Sequence, residues 1–134
     1  MEVNNIFGPI DIAISGLRAQ SKNIEVISSN VANARTTDAG KGEPYRRLIT
    51  ELKTDDDGIN GVNIDRIVAD MSDFQKILDP GNPDADEQGY IEMPNVNLPT
   101  EMINLTIATR AYQANAAILK RYQQIVEATL ELLR

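Results

Sequence analysis

Residues 99–134 read PTEMINLTIATRAYQANAAILKRYQQIVEATLELLR, and their periodicity decides the fold. Alternating steps of three and four pass through Met102, Leu105, Thr109, Tyr112, Ala116, Leu119, Gln123, Val126, Leu130 and Leu133. That is a seven-residue repeat sustained for more than four repeats, the spacing that keeps one seam turned toward a partner helix. A second apolar row (Ala111, Ile118, Ile125, Leu132) widens the face, and neither Gly nor Pro interrupts the run after Pro99. A helix of this length extends about 50 Å at 1.5 Å per residue. A domain of this size cannot cover it all, so other surfaces must.

The other end of the chain carries a matching seam. From Pro9, the residues Ile10, Ala13, Leu17, Gln20, Ile24, Ile27, Val31 and Ala34 follow the same alternation, with Ile14 and Val26 beside them. Gly8-Pro9 reads as a helix entry, where the missing proline N–H is not needed. Gly16, which costs about 1 kcal/mol against alanine in a helix interior, predicts close approach to a neighbour. Two seams at two ends predict a mainly α chain. Long N- and C-terminal helices pair as an antiparallel coiled coil, with a small β-hairpin and extended-loop insertion between them. An ordinary helical hairpin in a globular core satisfies the periodicity equally well.

Composition limits the chemistry. The chain has 134 residues, one domain's worth, with aromatics at 4% and no Trp, Cys or His. Without Cys and His there is no thiol nucleophile, no Ser-His or Cys-His triad, no usual zinc site and no side chain titrating near neutrality. No catalytic, cofactor-binding or metal-binding residue is expected, and no cofactor. No apolar run reaches membrane-spanning length. The start MEVNNIFGPID lacks a basic n-region and an apolar h-region, so no cleaved Sec signal is expected. Net charge is −7, and it is placed unevenly. Residues 9–35 and 99–134 each sum to +1, whereas residues 36–98 hold six basic against fourteen acidic residues, −8. Nearly neutral ends associate, and an acidic insertion stays solvated and disfavours nucleic acid.

Between the helices, Ser28 to Ala34 is built of small side chains that let another backbone come close. Thr36–Pro44, with Gly40 and Gly42, reads as a loop. Tyr45–Lys53 and Val62–Ala69 read as two strands about the Asp55-Asp56-Asp57-Gly58 turn, a hairpin with Val62, Ile64 and either Ile67 or Val68 inward. Asp73–Leu78 is a third short strand or a helical turn. Asp79 to Tyr90 is turn-rich. Its carboxylates invite a calcium reading, but Asp79, Asn82, Asp84 and Asp86 miss the ligand spacing of a calcium loop. Met93–Asn97 is an extended approach to the last helix, with Asn97 or Thr100 as N-cap and Glu101 favourable in its first turn. Arg46-Arg47 reads either as a reach toward acidic loops of a neighbour or as a solvated strand edge.

Three stretches carry a resemblance. Asp11-Ile-Ala-Ile-Ser-Gly16-Leu-Arg-Ala-Gln20, Ile27-Ser-Ser-Asn30-Val-Ala-Asn33-Ala and Pro44-Tyr45-Arg46-Arg47 resemble the start of a bacterial flagellar basal-body rod protein. Asp79-Pro-Gly-Asn-Pro-Asp-Ala-Asp86 through Gly89-Tyr90, with Met93-Pro-Asn-Val-Asn97, is similar to the signature of the family's proximal-rod branch. Arg110-Ala-Tyr112-Gln-Ala-Asn115 resembles its C-terminal motif. Gly8-Pro9, the loop after Thr37 and Leu78 depart from the family pattern.

The resemblance implies a non-enzymatic structural protein, exported by the flagellar type III apparatus without a cleaved signal. It would polymerise in the periplasm into the rod that transmits torque and conducts exported subunits. The implied partners are copies of itself, other rod proteins, the rod-base adaptor and the export apparatus, with no nucleic acid, small-molecule substrate or membrane insertion. Residues 1–35 plus 99–134 would form the inner, polymerising helical domain, and 36–98 the outer insertion. The expected assembly interface is Ile10, Ile14, Leu17, Ile24, Ile27, Val31, Met102, Leu105, Tyr112, Leu119, Val126, Leu130 and Leu133 from the seams, with Asn30, Asn33 and Asn115 from the family motifs. Two other functions fit the bare sequence: a soluble coiled-coil adaptor, or a calcium-dependent binding module.

Overall fold

The computed structural model describes residues 8–40, 42–54 and 61–133. The elements run α1 (Gly8–Ala32), β1 (Leu48–Thr54), β2 (Val62–Ala69), β3 (Gln75–Leu78), β4 (Tyr90–Met93) and α2 (Leu98–Leu132). The chain is mainly α, with two small antiparallel hairpins between its terminal helices.

Helix α2 starts where its capping chemistry dictates. The Asn97 side chain accepts from the Thr100 N–H at 3.0 Å, and Pro99 sits in the first turn. The two helices pack along each other. Asn30 meets Glu101 and Gly16 meets Asn115. An advance of fourteen residues on α1 matches a retreat of fourteen on α2, so the pair is antiparallel, with facing positions whose numbers sum to 131. Gly8 therefore lies opposite residue 123, and α2 continues to Leu132 beyond the first described turn of α1.

The seam on α2 differs from the one its apolar residues predict. The buried positions are Glu101 and Ala108, with Asn104, Ala111, Asn115 and Tyr122 half-buried on the same side. Met102, Tyr112, Val126, Leu130 and Leu133 are exposed. The helix is rolled by about one position: small and polar side chains that allow close approach make the buried contact with α1, Leu105 and Leu119 of the predicted seam stay half-buried beside it, and the other large apolar side chains of that seam are exposed. On α1 the buried set is Ala13, Ala19, Val26, Ile27 and Asn30, spread over a wider arc than one seam because α1 contacts both α2 and the first hairpin.

That hairpin pairs Leu48↔Ala69 through Thr54↔Val62, with a bulge where Glu51 faces Arg66 and Leu52 faces Ile64, which leaves Asp65 as the extra residue. The first strand begins three residues later than predicted, because Tyr45 to Arg47 are engaged by side chains of α1, α2 and the 70–95 segment. The predicted Asp55–Gly58 turn lies outside the described residues. Asp73–Leu78 resolves as a strand at Gln75–Leu78, paired with β4 from Gln75↔Met93 to Leu78↔Tyr90. Strand β4 falls in the stretch read as turn and extended approach. It spans four residues and buries only Ile91, too short for a period to register.

Candidate assembly interface

Where α1, α2 and β1 converge, a polar cluster is built around two buried side chains, Asn30 and Glu101. The Asn30 side chain, 1% exposed, stands beside β1 as another strand would. Its Oδ1 accepts from the Leu48 N–H at 2.8 Å, and its Nδ2 donates to the Leu48 carbonyl at 2.8 Å. The same Nδ2 donates to Glu101 Oε2 at 3.0 Å, and Tyr45 Oη donates to Asn30 Oδ1 at 3.0 Å. Glu101, 0% exposed, takes its second partner from Arg47, whose Nε donates to Oε1 at 2.7 Å. Arg47 also reaches Asp70 at 3.4 Å, and its backbone N–H donates to Asn95 Oδ1 at 2.8 Å. Asn95 Nδ2 in turn donates to the Asp70 carbonyl and to Ser72 Oγ, both at 2.9 Å.

Every buried polar side-chain atom among the described residues has a partner, as a buried ionic group requires. Burial works against the Arg47 charge, but Glu101 and Asp70 overcome it and raise the guanidinium above its ordinary range. The Asp70 carboxyl is held below its ordinary value, first by the Ser72 backbone N–H and hydroxyl, with Arg47 adding to them.

Sequence reasoning placed Glu101 as a first-turn carboxylate and missed its burial. Arg47 sits on a strand edge in the sequence, yet its partner stands 54 residues away. Neither arginine of the Arg46-Arg47 pair is free for a neighbour's loops. Arg47 serves the cluster, and the Arg46 guanidinium stacks over Phe74 at 4.2 Å.

At the other end of the pair, a Cβ on Gly16 would sit 2.8 Å from Asn115 Nδ2. The close approach predicted at this glycine is therefore present, and Asn115 is the neighbour. Its Nδ2 donates to the Ala111 carbonyl at 3.1 Å, which fixes the side chain against α1. Hairpin and helix are joined along α1 by two further bonds. Thr50 Oγ1 donates to Asn23 Oδ1 at 2.8 Å, and the Val62 N–H donates to Ser15 Oγ at 3.1 Å.

Of the sixteen expected interface residues, Ile27 and Asn30 lie inside the subunit. Ile10, Ile14, Leu17, Ile24, Val31, Asn33, Leu105, Asn115 and Leu119 are half-buried along the pair. Met102, Tyr112, Val126, Leu130 and Leu133 face outward. Ile103, Ile107, Ile118, Ile125 and Leu132 are exposed as well, so α2 carries a broad extent of uncovered apolar surface. Leu130 at 60% and Leu132 at 87% exposure mark its far end. Apolar patches of this extent signal contact with other proteins. Gln20 and Gln123, one on each predicted seam, do not meet, and Gln123 Nε2 donates to Glu127 instead.

In the acidic Asp79–Tyr90 loop, Asp86 bonds within the loop and Asp84 ties it to the segment after α1. Asp86 Oδ1 accepts from the Gln88 and Tyr90 N–H groups, and Asp84 accepts from Thr37 Oγ1 at 2.7 Å.

The profile described as flagella basal body rod protein matches residues 10–39, and that described as flagellar basal body rod FlgEFG protein C-terminal matches residues 87–132. These stretches hold α1 and its exit, and α2 with β4. The chain is 39% identical over 127 residues to the flagellar basal-body rod protein FlgC of Agrobacterium fabrum, with 92% of this chain and 91% of that protein covered. It is 38% identical to the FlgC of Salmonella typhimurium, with 98% of each covered. This chain belongs to the FlgC family of flagellar basal-body rod proteins. The FlgC of Bacillus subtilis is 33% identical, with 94% of this chain and 97% of that protein covered. Full-length likeness to rod proteins favours neither the adaptor nor the calcium module, and it extends to the insertion as well as to both helices.

Proposed function

We propose that the chain is a structural subunit of the bacterial flagellar basal-body rod, in its proximal part, and that it acts without catalysing a reaction. The observation that carries this reading is the match to a rod protein over 98% of both chains. A subunit with a broad apolar surface on its last helix suits assembly.

The terminal segments, residues 1–35 and 99–134, form the inner, polymerising domain, where the antiparallel pair is extended into coiled-coil packing by neighbours. The acidic segment 36–98 forms the outer layer. The contacting residues are the outward-facing set on α2 (Met102, Tyr112, Val126, Leu130, Leu133) and the half-buried flank of α1 (Ile10, Ile14, Leu17, Ile24). The neighbours are copies of this chain, other rod proteins, and at the base the adaptor and export apparatus. Export through the flagellar type III route without a cleaved signal delivers the chain to the periplasmic rod, which serves motility by transmitting torque.

The test is deletion of the gene, with swimming and isolated basal bodies as readout. The proposal expects loss of motility and of the rod, with the inner-membrane ring retained. A motile deletant with intact rods would end it.

A further inference from the structure

Two features of the helix pair stand in a fixed relation. Asn30 bonds to Glu101 at 3.0 Å, and a Cβ on residue 16 would stand 2.8 Å from Asn115 Nδ2, so that the Asn115 side chain would have to shift. On α1 these positions are fourteen residues apart, and on α2 they are also fourteen apart, two seven-residue repeats each. Between and beside them the facing positions hold the buried Ala13, Val26, Ile27 and Ala108 and the half-buried Gln20, Asn23 and Asn104. A seven-residue repeat keeps the same face turned inward after displacement by one repeat, so buried polar and size-matched pairs are what distinguish one register from the next.

We propose that Asn30–Glu101 and Gly16–Asn115 are two register locks that select the observed helix alignment over alignments displaced by seven residues. Displaced one way, Glu101 faces Asn23 and loses Asn30, while Asn115 faces Pro9. Displaced the other way, Asn30 faces Ala108 and Tyr122 falls against Gly16. In both, the Glu101 carboxylate leaves the position where Arg47 and Asn30 satisfy it, and neither polar side chain keeps its partner. The alignment sets how far the apolar end of α2 projects past Gly8, about nine residues here, against about two or sixteen after displacement. This consequence for rod assembly rests on the reading of the chain as a rod subunit; the locks themselves do not.

The natural chain has no Cys, so spin labels can be placed at will on the full-length protein. Labels at Ser28→Cys and Arg121→Cys, both exposed, lie eighteen residues apart along the paired axis, about 27 Å by helix rise. Pulsed electron–electron double resonance on the otherwise natural sequence should give a single distance population. With the locks removed (Arg47→Met and Glu101→Met, apolar residues of similar length, and Asn115→Ala, a truncation), a second population displaced by about 10 Å should appear with helical circular dichroism retained. Glu101→Gln, which still accepts from Asn30, should keep the single population. One unshifted population in the triple variant would overturn the proposal, and so would two in the unmodified seam. Loss of helicity in the triple variant would also overturn it, because the pair would then carry stability and not register. The readout uses the soluble subunit, so it stands or falls apart from any assay of rod assembly.

Discussion

Glu101 is the residue on which the subunit's interior turns. Replacing it with alanine takes one partner each from the Arg47 guanidinium and the Asn30 amide, leaving them Asp70 and the Leu48 carbonyl, and breaking a buried pair costs 3–5 kcal/mol in general. Because the Arg47 side chain keeps 24% exposure, Glu101→Ala is expected at the low end, about 3 kcal/mol, read from urea denaturation. Asp70 gives a second residue-level expectation, with its sign fixed by linkage. Its folded pKa lies below its ordinary value, so the unfolded chain binds the proton more readily and stability rises with pH through this group. The contribution is present above about pH 4, the unfolded range for aspartate. It is lost as the pH falls through the lower folded value. The difference in urea midpoint between the natural chain and Asp70→Asn should shrink on acidification below pH 4, and a pH-independent difference would refute the assignment. Little of this cluster was legible in the sequence. Asn30, Arg47 and Glu101 lie far apart in the chain, and a helix-start glutamate reads as dipole chemistry whether or not it is buried.

At the scale of elements, the sequence shows the helices, the N-cap at Asn97 and both strands of the first hairpin, because each rests on local signals: periodicity, turn residues and capping. The roll of α2 was not legible. An apolar repeat reports which residues avoid water, and in this chain two surfaces compete for them, the subunit's own seam and its outside. The seam went to alanines, Asn115 and Glu101. Strand β4 was missed for a related reason, since four residues pairing with a distant strand leave no local trace. Gly16 was read correctly as close approach, and the structure supplies its partner. Gly16→Ala gains helix propensity of about 1 kcal/mol but drives a methyl into a pinned Asn115 side chain, and overpacking costs 1–3 kcal/mol in general. The net expectation is destabilisation of about 1 kcal/mol, relieved in the Gly16→Ala/Asn115→Ala double variant. Thermal melts of both variants would decide it, and a single variant as stable as the parent would contradict the close contact.

For the whole molecule, the division of labour follows from where charge and apolar surface lie. The insertion holds most of the acidic residues and spends its polar groups on itself, on α1 and on Glu101 of α2, and α2 leaves many of its large apolar side chains exposed. A charge placed at that far end should leave the subunit intact and impair assembly. Ile125→Asp with Leu130→Asp is expected to change folding stability by no more than about 0.5 kcal/mol, as surface substitutions do, while a deletion strain carrying the variant loses swimming. Motility restored to parental level by this variant would deny the apolar surface its role.

The surface itself offers the most direct measurement. A single cysteine at Leu130, the chain's only thiol, can be labelled with a maleimide in the free subunit and in purified basal bodies. Rapid labelling of the free subunit and strong protection within the assembled rod is the predicted result; equal labelling in both states would contradict the claim that this exposed apolar face is what assembly covers.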